Sequence, residues 1–167
     1  MIRSKVIAFP FAACVLGLAG CTAHGDVEAT GSIWNEPAGK QSPAQALKAT
    51  RDGLGDLEKG KKHYRERNFG LAEQHYRRAT EKAPQDVESW VGLAATYDQL
   101  GRFGLADRAY EQALILTGPT AEILNNQGYS HMLRGDYATA RKKLVRAREL
   151  DPENRYINAN LELLDEL

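Results

Sequence analysis

Three stretches of this chain superpose at a constant interval of 34 residues: NFGLAEQHYRRAT (68–80), RFGLADRAYEQAL (102–114) and DYATARKKLVRAR (136–148). Phe69, Phe103 and Tyr137 fall in register, followed by Ala72, Ala106 and Ala140, then Tyr76, Tyr110 and Leu144, then Ala79, Ala113 and Ala147. Upstream of each, Gly60, Ala94 and Gly128 align, as do His63, Tyr97 and His131. A fixed period of this length, built from two helical stretches, predicts an all-α stack of helix-turn-helix units.

The repeated residues suit that packing. Small residues let paired helices approach closely, and the aromatic and leucine columns fill the space between layers. Gly101 and Gly135 stand where a first helix must stop, the place of a left-handed C-cap. Arg67 holds that place in the first unit, so a strained or altered turn is expected there. Pro84 and Pro152 follow the second helices as stops, and in the middle unit Pro119 comes one residue late, after Gly118.

Unit two reads Trp90-x-x-Leu93-Ala94-x-x-Tyr97, then Gly101-x-Phe103-x-x-Ala106-x-x-x-Tyr110-x-x-Ala113. This resembles the tetratricopeptide repeat. The resemblance implies a short solenoid of three repeats over 53–154, divided as 53–86, 87–120 and 121–154. After it, RYINANLELLDEL places Ile157, Leu161 and Leu164 at helical spacing. Residues 155–167 are therefore expected to form a helix that caps the last apolar face.

The N-terminus has a different composition. MIRSK carries Arg3 and Lys5, and VIAFPFAACVLGLA is apolar, too short for a spanning helix of about 20 residues and broken by Pro10. Charged start, short apolar run and small-residue end make residues 1–20 a secretory signal. Leu18-Ala19-Gly20-Cys21 resembles the bacterial lipobox, which implies cleavage before Cys21 and a covalent lipid on its sulfur. Several acyl chains on one residue anchor a protein stably. That lipid is the one attached group expected, with no other cofactor. Thr22, where aspartate marks retention in the inner membrane of such lipoproteins, implies the periplasmic face of the outer membrane. Cleavage also removes Cys14 and with it any disulfide. Residues 21–52, rich in Gly, Ala, Ser, Thr and Pro, read as a lipidated cysteine with a flexible tether. Within them Ser42-Pro43 carries the cap and first-turn signals of a short helix, and Ile33 and Trp34 stand out in polar surroundings.

Composition and motifs argue against catalysis and nucleic acid. Lys plus Arg and Asp plus Glu are balanced at 22 each, giving no field for a polyanion. The chain has neither C-x-x-C nor HExxH, G-x-S-x-G or a phosphate loop, and GLGDLEKG lacks the third glycine of a dinucleotide fingerprint. His63 and His131 share the position of Tyr97, which reads as packing rather than metal ligation. A non-catalytic module without a metal is expected.

Repeats of this kind bind on the concave face of their first helices. The resemblance places Leu54, Leu57, Lys61, Tyr64, Val91, Ala95, Asp98, Glu122, Asn125, Tyr129 and Met132 on that face, with inter-repeat packing as the competing role of Tyr64, Tyr129 and Met132. Family members that grip acidic chain ends use Lys, Asn and Arg. Here the corresponding residues are Leu57, Lys61, Gly92, Glu122 and Asn126, so that clamp is not reproduced.

The third unit and cap contain ILNN-x-GYS, GDY-x-x-A and N-x-N-L-x-L-L. These resemble the small repeat lipoproteins of tight-adherence (Tad, Flp-type) pilus systems, the TadD-like group. The resemblance implies a pilotin-like or scaffold role toward an outer-membrane secretin or another assembly component. The residues alone leave open a second role, an envelope adaptor unrelated to pili, such as one that holds peptidoglycan enzymes together.

Overall fold

Ser42 opens the first helix with a reciprocal cap. Its hydroxyl accepts from the Gln45 backbone N–H (3.3 Å), and the Gln45 side chain accepts from the Ser42 N–H (2.9 Å). Pro43 lies in the first turn, where its missing N–H has no partner to lose. The structure, a computed structural model, describes residues 42–167. The signal peptide, Cys21, Ile33, Trp34 and the tether as far as residue 41 lie outside the described residues.

The described residues form helices and turns: α1 (Pro43–Arg65), α2 (Phe69–Lys82), α3 (Val87–Gln99), α4 (Phe103–Thr117), α5 (Ala121–Leu133), α6 (Tyr137–Leu150) and α7 (Arg155–Asp165). They build the expected all-α solenoid, with α1–α2, α3–α4 and α5–α6 as helix-turn-helix pairs and α7 packed on the last. The expected tether needs one correction. Residues 43–52 are helical and continuous with the first repeat helix, making α1 23 residues long. The local reason is the cap at Ser42 followed by AQALKA, all good helix formers. Because the repeat already holds the C-terminal half of α1 in place, the extension adds turns without a nucleation cost. Among the described residues no helix is long and apolar enough to cross a membrane.

The repeated columns are the core. Ala72, Ala79, Ala106, Ala113, Ala140 and Ala147 have no exposed surface, and Tyr76, Tyr110 and Leu144 are buried. A Cβ on Gly60 would come within 3.0 Å of the Tyr76 ring, and one on Gly128 within 2.6 Å of Leu144 Cγ. In the first and third units the small residue of the first helix is thus the socket for the large residue of its own second helix. Gly101 and Gly135 turn with φ of 69° and 78°; Arg67, at the same place, adopts φ 60° without the freedom of glycine. Capping helix α7 buries Ile157, Leu161 and Leu164 beside Leu124, Met132 and Leu144.

The first helices α1, α3, α5 and α7 touch in succession, whereas α2, α4 and α6 touch first helices alone. Successive units therefore lie closer along the first-helix side, and that side is concave.

Candidate functional site, the first-helix face

The floor of the concave face is built from residues that the stack itself consumes. Leu57 and Val91 are 3% and 7% exposed and belong to the core around Tyr76; Met132, 7% exposed, packs with Leu144 and Leu161. All three were expected to face the groove; for Leu57 and Met132 that expectation is corrected, while Val91, though mostly buried, still lines a concavity of this face. They belong to the apolar clusters that hold the stack together.

Asp98 is a further correction. It is 5% exposed and lies beneath the face, where its carboxylate accepts from Ser130 Oγ (2.6 Å) and Tyr110 Oη (3.0 Å). Arg134 reaches the same cluster, donating to Ser130 Oγ (2.6 Å) and gripping Asp107 through two bonds of 2.8 and 2.9 Å. Burial pushes the Asp98 carboxyl up, against the downward pull of Ser130, Tyr110 and Arg134. Asp98 therefore positions the groove and does not itself meet a ligand.

Above this floor remain Leu54, Lys61, Tyr64, Ala95, Glu122, Asn125 and Tyr129, exposed or half-buried. Lys61 bridges α1 and α3, 3.0 Å from Glu58 and 2.5 Å from Glu88, and the bond to Glu88 holds its ammonium above the usual lysine range. Tyr64 packs edge-on against Phe69, with ring centroids 5.5 Å apart, and burial raises its phenol. Tyr129 is 37% exposed. The strip runs from an aliphatic start at Leu54 through a compensated lysine to the tyrosines.

At its far end the face deepens. A concavity of about 600 Å³ lies between α5 and α7, lined among others by Asn125, Asn126, Tyr129, Tyr156, Ala159 and Asn160. It shares Glu122 and Asn154 with a second concavity of about 630 Å³ that reaches Glu88 and Val91. Asn160 Nδ2 donates to Asn125 Oδ1 (2.9 Å), joining the cap to the third unit. Sequence reasoning missed Glu88, Tyr156, Ala159 and Asn160 as residues of this face. The 34-residue shift contains the signal: Glu88 aligns with Leu54 and Glu122, and one further shift aligns Tyr156, Ala159 and Asn160 with Glu122, Asn125 and Asn126.

The three described histidines make structural contacts. His63 stacks on His75 with centroids 5.4 Å apart, and His75 Nδ1 sits 2.9 Å from the buried Asp56 carboxylate, which also accepts from Lys82 (2.6 Å). Burial works to raise the Asp56 carboxyl, but the hydrogen bonds and charges of Lys82 and His75 outweigh it and hold it below the usual range. His131 pairs with Asp136 at 3.1 Å. Among the described residues no group of three potential metal-ligating side chains is gathered.

Residues 57–106 and 121–154 match family models of the tetratricopeptide repeat. The chain is 26% identical over 125 residues to the TPR repeat-containing protein YvcD of Bacillus subtilis (strain 168), covering 73% of this chain and a quarter of that relative's length. A structure of Pseudomonas aeruginosa pilF superposes with a TM-score of 0.60 at 26% identity, over 71% of this chain and 53% of that one. The first repeat domain of Spaghetti (RPAP3), bound to the HSP90 peptide SRMEEVD, superposes with a TM-score of 0.62 at 20% identity, over 70% of this chain and 93% of that domain.

Proposed function

We propose that this chain of tetratricopeptide repeats is a non-catalytic adaptor of the bacterial envelope, lipid-anchored through Cys21, whose first-helix face holds a segment of a partner protein. The observation that carries the binding role is the division of labour on that face. Leu57, Asp98 and Met132 are locked beneath it, while Tyr129 stands exposed above, with Lys61 and Tyr64 half-buried beside it. A rigid floor under an exposed aromatic anchor loses little freedom when a ligand is bound. The peptide-bound repeat domain of Spaghetti supports the same use of such a fold.

The partner proposed is an outer-membrane secretin or another component of a tight-adherence pilus, with the chain acting as a pilotin-like or scaffold factor. Support comes from the lipobox-like LAGC and from the ILNN-x-GYS and GDY-x-x-A motifs of the third unit. A chaperone-tail role is disfavoured. Leu57 is buried, and a Cβ at Gly92 would collide with the Tyr76 ring, so neither position can present the cation or amide of a carboxylate clamp.

The test is in-cell photocrosslinking with a photoreactive phenylalanine at Tyr129 and, as control, at the exposed Ala138 on α6. Crosslinks to a secretin or pilus component from position 129 and none from 138 are expected. Crosslinks from 138 alone would remove the groove from the function, and a peptidoglycan enzyme captured at 129 would replace the pilus assignment.

A further inference from the structure

We infer that the outer face of α6 rests on an anionic phospholipid surface, which turns the first-helix face away from the bilayer. This rests on the Cys21 anchor of the proposed function and adds an orientation to it.

The first observation is charge. Helix α6 carries Arg141, Lys142, Lys143, Arg146 and Arg148 against one carboxylate, Glu149. The other second helices are nearly balanced: α2 sets Arg77, Arg78 and Lys82 against Glu73 and Glu81, and α4 sets Arg108 against Asp107 and Glu111. All the α6 cations except Lys143 are exposed. Arg141 holds Asp165 and Arg146 holds Glu149, each at 2.6 Å between side chains more than half exposed. Such surface pairs contribute little and exchange readily for other anions. Lys142 and Arg148 form no ion pair among the described residues.

The second observation is shape. Ala138 and Val145 floor a shallow depression on this face, walled by Arg141, Lys142, Arg146 and Glu149. Long cationic side chains around an apolar floor suit a lipid interface. The floor meets glycerol and the first methylenes, and the charged heads reach the phosphates. The bilayer is also the surface always at hand. Only 20 residues separate Cys21 from Ser42, and a chain of that length spans at most about 70 Å when fully extended. Tethering of this kind makes even weak contacts count, because the headgroups stay at high local concentration. The orientation follows from the stack. Asn125 and Tyr129 lie on α5, a first helix that meets α3 and α7, whereas α6 is a second helix and touches α5 and α7 alone. A bilayer against the outer face of α6 therefore leaves the groove open to a partner.

The test places a photoreactive phenylalanine at Ala138, on the floor of the depression, or at the exposed Ala159, on the groove side of α7. Each full chain, purified from membranes, is reconstituted in vesicles of phosphatidylcholine alone or of equal parts phosphatidylcholine and phosphatidylglycerol. Lipid adducts are then quantified by mass spectrometry. At position 138 the anionic vesicles should give about tenfold more adduct than the neutral ones. High salt should remove that excess, as should Arg141→Gln combined with Lys142→Gln and Arg146→Gln. Position 159 should give little adduct in either vesicle. Equal adduct at 138 in the two vesicles, an excess that survives the triple substitution, or as much adduct at 159 as at 138 would overturn the inference. Capture of an acidic protein in place of lipid by position 138 in intact envelopes would overturn it too. Flotation reports the anchor separately. A chain that floats with neutral vesicles but shows no charge dependence at 138 keeps the anchor and loses this face. One that floats only with anionic vesicles, through α6, keeps this face and loses the anchor.

Discussion

Ser130 on α5 donates a 2.6 Å hydrogen bond to Asp98 on α3, across 32 positions of sequence. Tyr110 on α4 donates to the other carboxylate oxygen, so one buried aspartate ties three helices from two repeats. The alanine columns pack each helix against its partner, but they leave the rotation between units to contacts of this kind. The groove floor is consequently as rigid as this junction.

Asp98→Ala should destabilise the fold by about 3 kcal/mol, because it leaves two buried hydroxyls without an acceptor. Asp98→Asn keeps the shape and one acceptor, and should lose about 1 kcal/mol. The pH dependence has a definite sign. The folded Asp98 pKa is raised above the ordinary 3.8 by burial. Its contribution is therefore complete below the unfolded value and is lost as pH rises through the folded one. Urea midpoints of wild type and Asp98→Asn across the acid range should show the wild-type advantage shrinking as pH rises. An advantage that grows with pH would contradict the burial of this carboxyl.

Gly92→Ala and Gly104→Ala should move stability in opposite directions. The Tyr76 ring occupies the space a Cβ would need at Gly92, and overpacking there should cost about 1–3 kcal/mol. Nothing lies within 4 Å of a Cβ at Gly104 in the first turn of α4, where alanine should add about 0.4–1 kcal/mol by restricting the unfolded chain. Denaturant midpoints of the two variants decide it; equal shifts would mean that Tyr76 does not occupy that socket.

The same contacts explain what the sequence could disclose. The repeat was legible because its positions serve packing: Ala106 must be small and Tyr110 large wherever the unit occurs, so the period survives in one chain. The start of α1 was legible in Ser42-Pro43. Its continuity with the first repeat was obscured by residues such as Thr50 and Gly53 that carry no helical signal. Which groove positions stay open was illegible at Leu57 and Met132, since their burial depends on how neighbouring units pack together. The face of α7 was legible by one more 34-residue shift, but its cap role drew attention to the apolar Ile157, Leu161 and Leu164 and away from Tyr156 and Asn160.

Arg67→Gly should stabilise the first turn. Arg67 adopts φ 60° where the later units have glycine, and a non-glycine residue in that region carries about 1–2 kcal/mol of strain. Added freedom in the unfolded chain offsets part of the relief, leaving an expected gain of about 0.5–1 kcal/mol. Thermal unfolding of the variant measures it, and a lower midpoint would show that Arg67 makes a contact worth more than its strain.

Cys21→Ser should leave the protein unacylated and its signal uncut or miscut, on the strength of the LAGC sequence after a short apolar run. Metabolic labelling with a fatty acid, beside fractionation of membranes, provides the measurement. Equal label in variant and wild type would remove the anchor from the proposed function.

Tyr64→Ala and Tyr129→Ala should separate folding from binding on one face. Tyr64 packs edge-on against Phe69 and its phenol is raised by burial, so truncation removes core contacts as well as surface. A loss of about 2–3 kcal/mol of stability is expected, within the range for partly buried aromatic truncations. Tyr129 is 37% exposed, and its removal should leave unfolding within about 0.5 kcal/mol of wild type. An aromatic anchor at an interface commonly contributes about 2 kcal/mol, so Tyr129→Ala should weaken capture of the partner roughly thirtyfold. The checks are circular dichroism melts of both variants and co-purification of the crosslinked partner from envelopes. A Tyr129→Ala protein that melts normally and still retains its partner in full would place the binding surface away from the first helices. The exposed faces of α2, α4 and α6 would then be the surfaces left to carry it.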